Sequence, residues 1–155
     1  MMFFNKEIIK FNFEGHSKEQ VLSHLSEKFI ENDLVTQDFY ESIISRELSF
    51  PTGLWINDTG IAIPHTDSEK VKQAQIGFMS LKQPVTFKEM ANKDNEIEVS
   101  LIFMLALKQS DQQLSMLQKL VNLFQNESLV KQLKECTSLI EFKSIMKNAG
   151  LNKAI

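Results

Sequence analysis

Apolar and polar residues alternate across the opening segment. Ile9, Phe11 and Phe13 fall on one side, and Lys10, Asn12 and Glu14 on the other. That period of two predicts a strand over Ile8–Phe13. From Ser17 the period lengthens. Val21, Leu22, Leu25, Phe29 and Ile30 form one helical face, and Ser17 with Gln20 makes a capping-box pattern. Thr36 is placed to cap a second helix whose buried side is Phe39, Tyr40, Ile43 and Ile44, fraying near Leu48 because Pro51 follows. Between Phe50 and His65 the pattern breaks up. Pro51, Gly53, Gly60 and Pro64 punctuate it, and Ile61–Ile63 is the one short strand signal. Ala74–Leu81 predicts a further strand with a short partner at Val85–Phe87. Ile97–Leu107 is an almost unbroken apolar run, suited to a central strand buried on both faces. Ser110 and Gln113 repeat the capping-box pattern and open a helix with Leu114, Leu117, Leu120, Val121 and Phe124 inward. Two more helices are predicted near Ser128–Glu135 and Ser138–Ala149. Phe142, Ile145 and Met146 face inward on the last, and Gly150 is its stop.

This order of elements predicts a single α/β domain over residues 1–155. The expected architecture is a mixed, mostly five-stranded central sheet flanked by helices, a three-layer α/β/α sandwich. The connections near residues 81–97 are too short for a helical crossover, which favours mixed over all-parallel strands. A formal charge of −3 argues against a nucleic-acid binder, which presents a basic patch. A single cysteine, Cys136, excludes an internal disulfide and fits a reducing, cytoplasmic setting. The first residues lack the uninterrupted apolar stretch of a signal peptide. The run Leu101–Leu107 is far short of the ~20 residues of a membrane span. Met1 and the ending at Ile155 suggest a stand-alone protein.

The segment Gly60-Ile-Ala-Ile-Pro-His-Thr-Asp67 carries candidate chemistry. A strand ends at Pro64, whose fixed backbone holds His65 on a stiff loop at the strand end. Imidazole, with an ordinary pKa near ~6.5, is largely unprotonated at neutral pH and can attack phosphorus. On spacing alone, an ordinary loop histidine is the commoner reading. The wider pattern changes that balance. Ala-Ile-Pro-His, the upstream Ile43-Ile44-Ser45-Arg46-Glu47, the stretch Phe50-Pro51-Thr52-Gly53-Leu54 and the helix start Gln113-Leu114-Ser115-Met116-Leu117 together resemble enzyme IIA of the sugar phosphotransferase system, in the fructose/mannitol superfamily (type 2). The resemblance runs from the first helix to the last. Two positions depart from the commoner pattern. Thr66 follows the histidine where many members have a small residue, and Gln113 stands where many have a second histidine. With Phe-Pro-Thr-Gly-Leu and Gln-Gln-Leu, the chain is most similar to the galactitol-type branch.

The resemblance implies that His65 is phosphorylated on Nε2 by the phosphohistidine of HPr. It implies that a cognate enzyme IIB takes the group on a cysteine, and that the membrane protein IIC then moves galactitol or a related sugar. Arg46 becomes the expected phosphate clamp, its guanidinium offering a permanent charge and a fixed fork of donors. A helix-end arginine bonding terminal carbonyls is the alternative. Thr52, Gly53 and Thr66 are candidates for the phosphate loop, with a plain turn after Pro51 equally open for the first two. Gln113 is a candidate hydrogen-bond donor to the phosphate at a helix start, or else the capping partner of Ser110. Asp67 is read as the cap of a short helix through Ser68 and Glu69, with orientation of His65 as the other reading. Phe50, Leu54 and Trp55 suggest an apolar docking patch.

No cofactor and no metal are expected. There is no Gly-Lys-Ser/Thr phosphate loop, so direct use of ATP is not indicated. His16 and His24 lack a third ligand at metal spacing. Cys136 is not followed by an anion-binding loop and reads as a small packed residue. The alternative function is a regulatory phosphorylation switch of the same type, binding a transcription factor or kinase.

Overall fold

The structure is a computed structural model that describes residues 3–151. β1 (Ile9–Phe13) leads through α1 (Lys18–Glu31) and α2 (Phe39–Ser49) to a hairpin of β2 (Gly53–Ile56) and β3 (Thr59–Ala62). A single 3-10 turn (Ser68–Lys70) precedes β4 (Gln75–Lys88) and β5 (Glu96–Ala106). Three helices close the chain: α3 (Ser110–Phe124), α4 (Glu127–Glu135) and α5 (Leu139–Asn148). The five strands form one mixed sheet in the order β1-β4-β5-β3-β2. β1 runs parallel to β4, and β3 runs parallel to β5. The neighbouring pairs β4–β5 and β2–β3 are antiparallel.

The apolar run of β5 forms two cores, one on each face. Leu101, Phe103 and Leu105 pack with Met116, Leu120, Phe124, Leu133 and Phe142 of α3–α5. Ile102, Met104 and Ala106 pack with Leu22, Phe29, Phe39 and Ile43 of α1 and α2. The strand is sandwiched by helices on both sides, which is why its sequence shows no polar alternation. The three-layer α/β/α expectation holds. No helix among the described residues is long and apolar enough to cross a membrane.

Local chemistry accounts for the element ends. Ser17 accepts from the Gln20 N–H at 3.1 Å, and the Gln20 side chain accepts from the His16 N–H at 2.7 Å, so the predicted capping box forms one residue out of its usual register. Gly150 adopts φ +78°, a conformation that glycine takes without strain, and stops α5.

Four expectations change. Residues predicted as loop before Gly60 contain β2. Its hairpin turns on Asn57 and Asp58, both left-handed at φ 51° and 60°, which these short polar side chains tolerate. The two strands expected near Ala74–Phe87 are one, β4. Pro84 lacks an N–H, and the register with β5 shifts between Ser80 and Val85 instead of breaking. α2 begins at Phe39 with Asp38 at the cap position; Thr36 bonds the Asp38 carboxylate at 2.6 Å and does not cap the helix directly. α3 has Gln109 at its cap, making Ser110 its first helical residue. Its buried set is Met116, Leu120, Leu123 and Phe124, whereas Leu114 is exposed.

Candidate active site

His65 sits just past the carboxyl end of β3. Its backbone stays registered against Leu105 of β5, whose N–H donates to the Pro64 carbonyl at 2.9 Å. Proline contributes no donor here, but its carbonyl continues the ladder, so the stiff loop is also fastened. The next residue is held from both helical layers. The buried Thr66 hydroxyl bonds the Ser42 hydroxyl of α2, and its carbonyl accepts from Gln113 Nε2 of α3 at 3.2 Å. Gln113 therefore serves the loop after His65 and does not cap its own helix.

The His65 ring is half-buried, and its Nδ1 lies 2.8 Å from the Ile63 carbonyl. A carbonyl can only accept, so the proton belongs on Nδ1 and Nε2 is left with a free lone pair. Burial pushes the imidazole below its ordinary pKa. The Ile63 hydrogen bond opposes that shift, and the Arg46 charge adds to it. The site thus holds a neutral imidazole of one tautomer, as a nucleophile requires.

Arg46 lies in the last turn of α2. Its guanidinium sits 4.9 Å from the Phe50 ring centroid and 3.5 Å from Asp67 Oδ1, and both partners of that ion pair are well exposed. Asp67 makes no side-chain cap to the 3-10 turn that follows it and pairs instead with Arg46. Ser42, Ser45, Arg46, Ser49, Thr66 and Asp67 border an open cleft of about 430 Å³. A permanent cation among hydroxyl groups suits an anionic group of phosphoryl size.

The remaining candidates fall as follows. Thr52 is buried and donates from both its N–H and its hydroxyl to the Glu47 carboxylate, each at 2.8 Å. Gly53 opens β2. A Cβ there would lie 2.6 Å from the Lys88 carbonyl, so its missing side chain serves the close approach of β2 to the end of β4. Leu54 and Trp55 are consecutive on β2 and point to opposite faces. Leu54 packs on the α3–α5 core while Trp55 is exposed, so the three apolar residues do not make one continuous patch. Cys136 is buried, its Sγ lies 3.3 Å from the Ser138 carbonyl, and burial raises its pKa, which makes it a poor nucleophile. His24 packs on the Phe13 ring at 4.5 Å. Among the described residues no group of three or more His, Cys, Asp and Glu could hold a metal.

Two participants had no assigned role from sequence: Ser42, and Glu47 as the holder of Thr52. A signal for the first existed. Ser42, Ser45, Arg46 and Ser49 recur at i, i+3, i+4 and i+7, a stripe of small polar residues beside one long cation.

The electrostatics give a testable titration. In ring-nitrogen NMR, His65 is expected to titrate below ~6.5. Arg46→Ala raises the midpoint without restoring the ordinary value, because burial is the larger cause. With the folded pKa below the unfolded one, the unfolded chain binds more protons in the window between them. Stability from this group therefore rises with pH through that window and is lost as pH falls toward the folded pKa. A midpoint above ~6.5 contradicts the geometry.

Comparison with known proteins identifies the family of the chain. The family model described as "Phosphoenolpyruvate-dependent sugar phosphotransferase system, EIIA 2" matches residues 2–149. The galactitol-specific EIIA component of Escherichia coli (strain K12) is 30% identical over 116 residues, 75% of this chain and 77% of that protein. The nitrogen regulatory protein IIA-Ntr of Neisseria meningitidis superposes with a TM-score of 0.76 at 30% identity, covering 91% of this chain and 94% of that one. The Escherichia coli complex of mannitol enzyme IIA with phosphorylated enzyme IIB contains a chain of the same fold. It matches at a TM-score of 0.74 and 19% identity over 92% of this chain and 95% of that one. From its sequence, its fold and these matches, the chain belongs to the EIIA 2 family of the phosphoenolpyruvate-dependent sugar phosphotransferase system and is one of its phosphotransferase components.

Proposed function

We propose that residues 1–155 act as one enzyme IIA unit in the cytoplasm, accepting a phosphoryl group from phospho-HPr on His65 Nε2 and passing it to the cysteine of a cognate enzyme IIB. The observation that carries this reading is the Nδ1 hydrogen bond to Ile63, which leaves Nε2 free in the same electrostatic neighbourhood as Arg46. Uptake of galactitol or a related polyol through an enzyme IIC is the favoured destination, supported by the 30% identity to the galactitol component.

The steps balance without a cofactor. Nε2 attacks phosphorus in line with the donor nitrogen of HPr. The new N–P bond forms as the old one breaks, and the donor imidazole recovers its electron pair. His65 keeps its proton on Nδ1, so the ring carries positive charge while phosphorylated. The Ile63 carbonyl stabilises that charge. Arg46 leaves Asp67 for the phosphoryl oxygens, and the hydroxyls of Ser42 and Thr66 border the same cleft. A thiolate on enzyme IIB then attacks phosphorus, the S–P bond forms, and the electron pair returns to Nε2.

Arg46→Ala is expected to slow phosphoryl transfer by about 10²- to 10³-fold, the usual loss when one charge-stabilising donor is removed. The melting temperature should hardly move, because an exposed ion pair stabilises little. Arg46→Lys should fall between, keeping charge but losing the fork. Rapid-quench transfer assays measure this, and a wild-type rate in Arg46→Ala rules out the clamp.

A second reading is a regulatory switch whose phosphorylated and free forms bind different control proteins. The 30% identity to a nitrogen regulatory IIA favours it. Both readings require phosphorylation of His65. The deciding experiment offers the phosphorylated protein purified galactitol-type enzyme IIB. Transfer to its cysteine supports the carrier, and retention of phosphate on His65 supports the switch.

A further inference from the structure

We propose that Glu47 is a positioning residue for phosphoryl transfer, aligning Arg46 and His65 through one hydrogen-bonded bracket built on Thr52. The proposal rests on the phosphohistidine reading above. Glu47 is 2% exposed, and its two carboxylate oxygens accept from the N–H and the hydroxyl of Thr52. Thr52 in turn presents its carbonyl to the Ile63 N–H at 3.3 Å, and the Ile63 carbonyl receives the His65 Nδ1 proton at 2.8 Å. Ile63 lies one residue beyond β3, so this bond from the Thr52 segment continues the hold on the chain where the named strand ends.

The other end of the bracket is the residue after Arg46. The Phe50 N–H closes α2 on the Arg46 carbonyl at 2.7 Å, and the chain then turns through Pro51 to Thr52. Glu47 reaches over that turn and ties its far side back to the helix. The cation's helix end and the nucleophile's ring orientation therefore share a single buried anchor. A buried carboxylate is costly unless its oxygens are satisfied, and here both are used on the one residue that leads to His65. Burial raises the carboxyl's pKa while the two Thr52 bonds oppose that. A neutral amide of the same shape suits the same partners, accepting from the Thr52 N–H and donating to its hydroxyl oxygen.

Glu47→Met removes the bracket at similar length, and Glu47→Gln restores it. Ring-nitrogen NMR of His65 in the unphosphorylated protein reads the tautomer, and rapid-quench assays with phospho-HPr read the transfer rate. Glu47→Met is expected to lower the Nδ1–H population and slow transfer by about 10- to 100-fold, the scale of a small misplacement of reacting groups. Glu47→Gln should stay within about threefold of wild type, on the same physical ground. An unchanged tautomer and rate in Glu47→Met overturns the proposal, and so does a Glu47→Gln variant as impaired as Glu47→Met. If Glu47→Met does not fold, Thr52→Val takes its place, because it deletes the hydroxyl arm; no change in either readout then overturns it. Should wild-type protein take no phosphate, the phosphohistidine reading fails by itself, and the tautomer measurement still judges the bracket.

Discussion

A His65→Ala variant mixed with phosphoenolpyruvate, enzyme I and HPr is expected to gain no mass, whereas the wild-type protein should gain one acid-labile phosphate. The effect should be complete because the variant would lose the proposed acceptor atom itself, not one of several supports. Among the described residues, Gln113, Cys136 and His24 do not substitute for it. Gln113 has no nucleophilic nitrogen and is engaged with the Thr66 carbonyl. Cys136 is buried in the α3–α5 core, and His24 lies against Phe13 on the first helix. The fold should survive, since His65 is only half-buried and its loop keeps the Pro64–Leu105, Thr66–Ser42 and Thr66–Gln113 bonds. The lost Nδ1 bond should cost about 1 kcal/mol. Intact-mass spectrometry together with a melting curve checks both points. Phosphate gain in a folded His65→Ala variant sinks the assignment.

Phe78→Ala is expected to be the most damaging core substitution to stability. Phe78 is fully buried in β4, with ring centroids of Phe142, Phe103 and Phe11 at 4.8, 5.0 and 6.2 Å. Those three come from α5, β5 and β1, so one side chain joins three elements across the α3–α5 face. Phenylalanine truncation in a core costs about 3–5 kcal/mol, against a typical total stability of about 5–15 kcal/mol. For a domain of this size the melting temperature should fall by roughly 6–20 °C. Calorimetry on Phe78→Ala beside Leu114→Ala tests this, because Leu114 is 60% exposed and its truncation should be nearly silent. A drop below about 3 °C for Phe78→Ala would mean that the ring cluster relaxes around the gap.

Much of this architecture is written locally. Ser17 with Gln20, Gly150 at its positive φ and the apolar run of β5 each carry their instruction within a few residues. Helix α3 shows the limit. Its apolar residues span a wide arc, so the choice between Leu114 and Met116 as inward depends on how the helix rolls against the sheet. The β2–β3 hairpin shows another. Asn57-Asp58 is a weaker turn signal than Asn-Gly, and β2 becomes a strand by pairing with β3. At the site, Pro64-His65 is legible because a strand end and a reactive ring are neighbours in sequence. Arg46 came from family resemblance. The Ser42–Thr66 and Gln113–Thr66 contacts join residues 24 and 47 positions apart, which no local pattern encodes.

The half-exposed pairing of Arg46 with Asp67 has a consequence for traffic through the protein. At 3.5 Å in open solvent the cation rests in a shallow well, worth about 0–1 kcal/mol. Giving up Asp67 for a phosphoryl group, and later taking it back, would therefore by itself tilt each handover by less than about tenfold. A deeply buried pair would make the empty form a barrier, and an unpaired arginine would make the loaded form a sink. With the cation lightly parked, the proposed carrier would work as a level way-station, and net flow would follow supply from upstream and demand downstream.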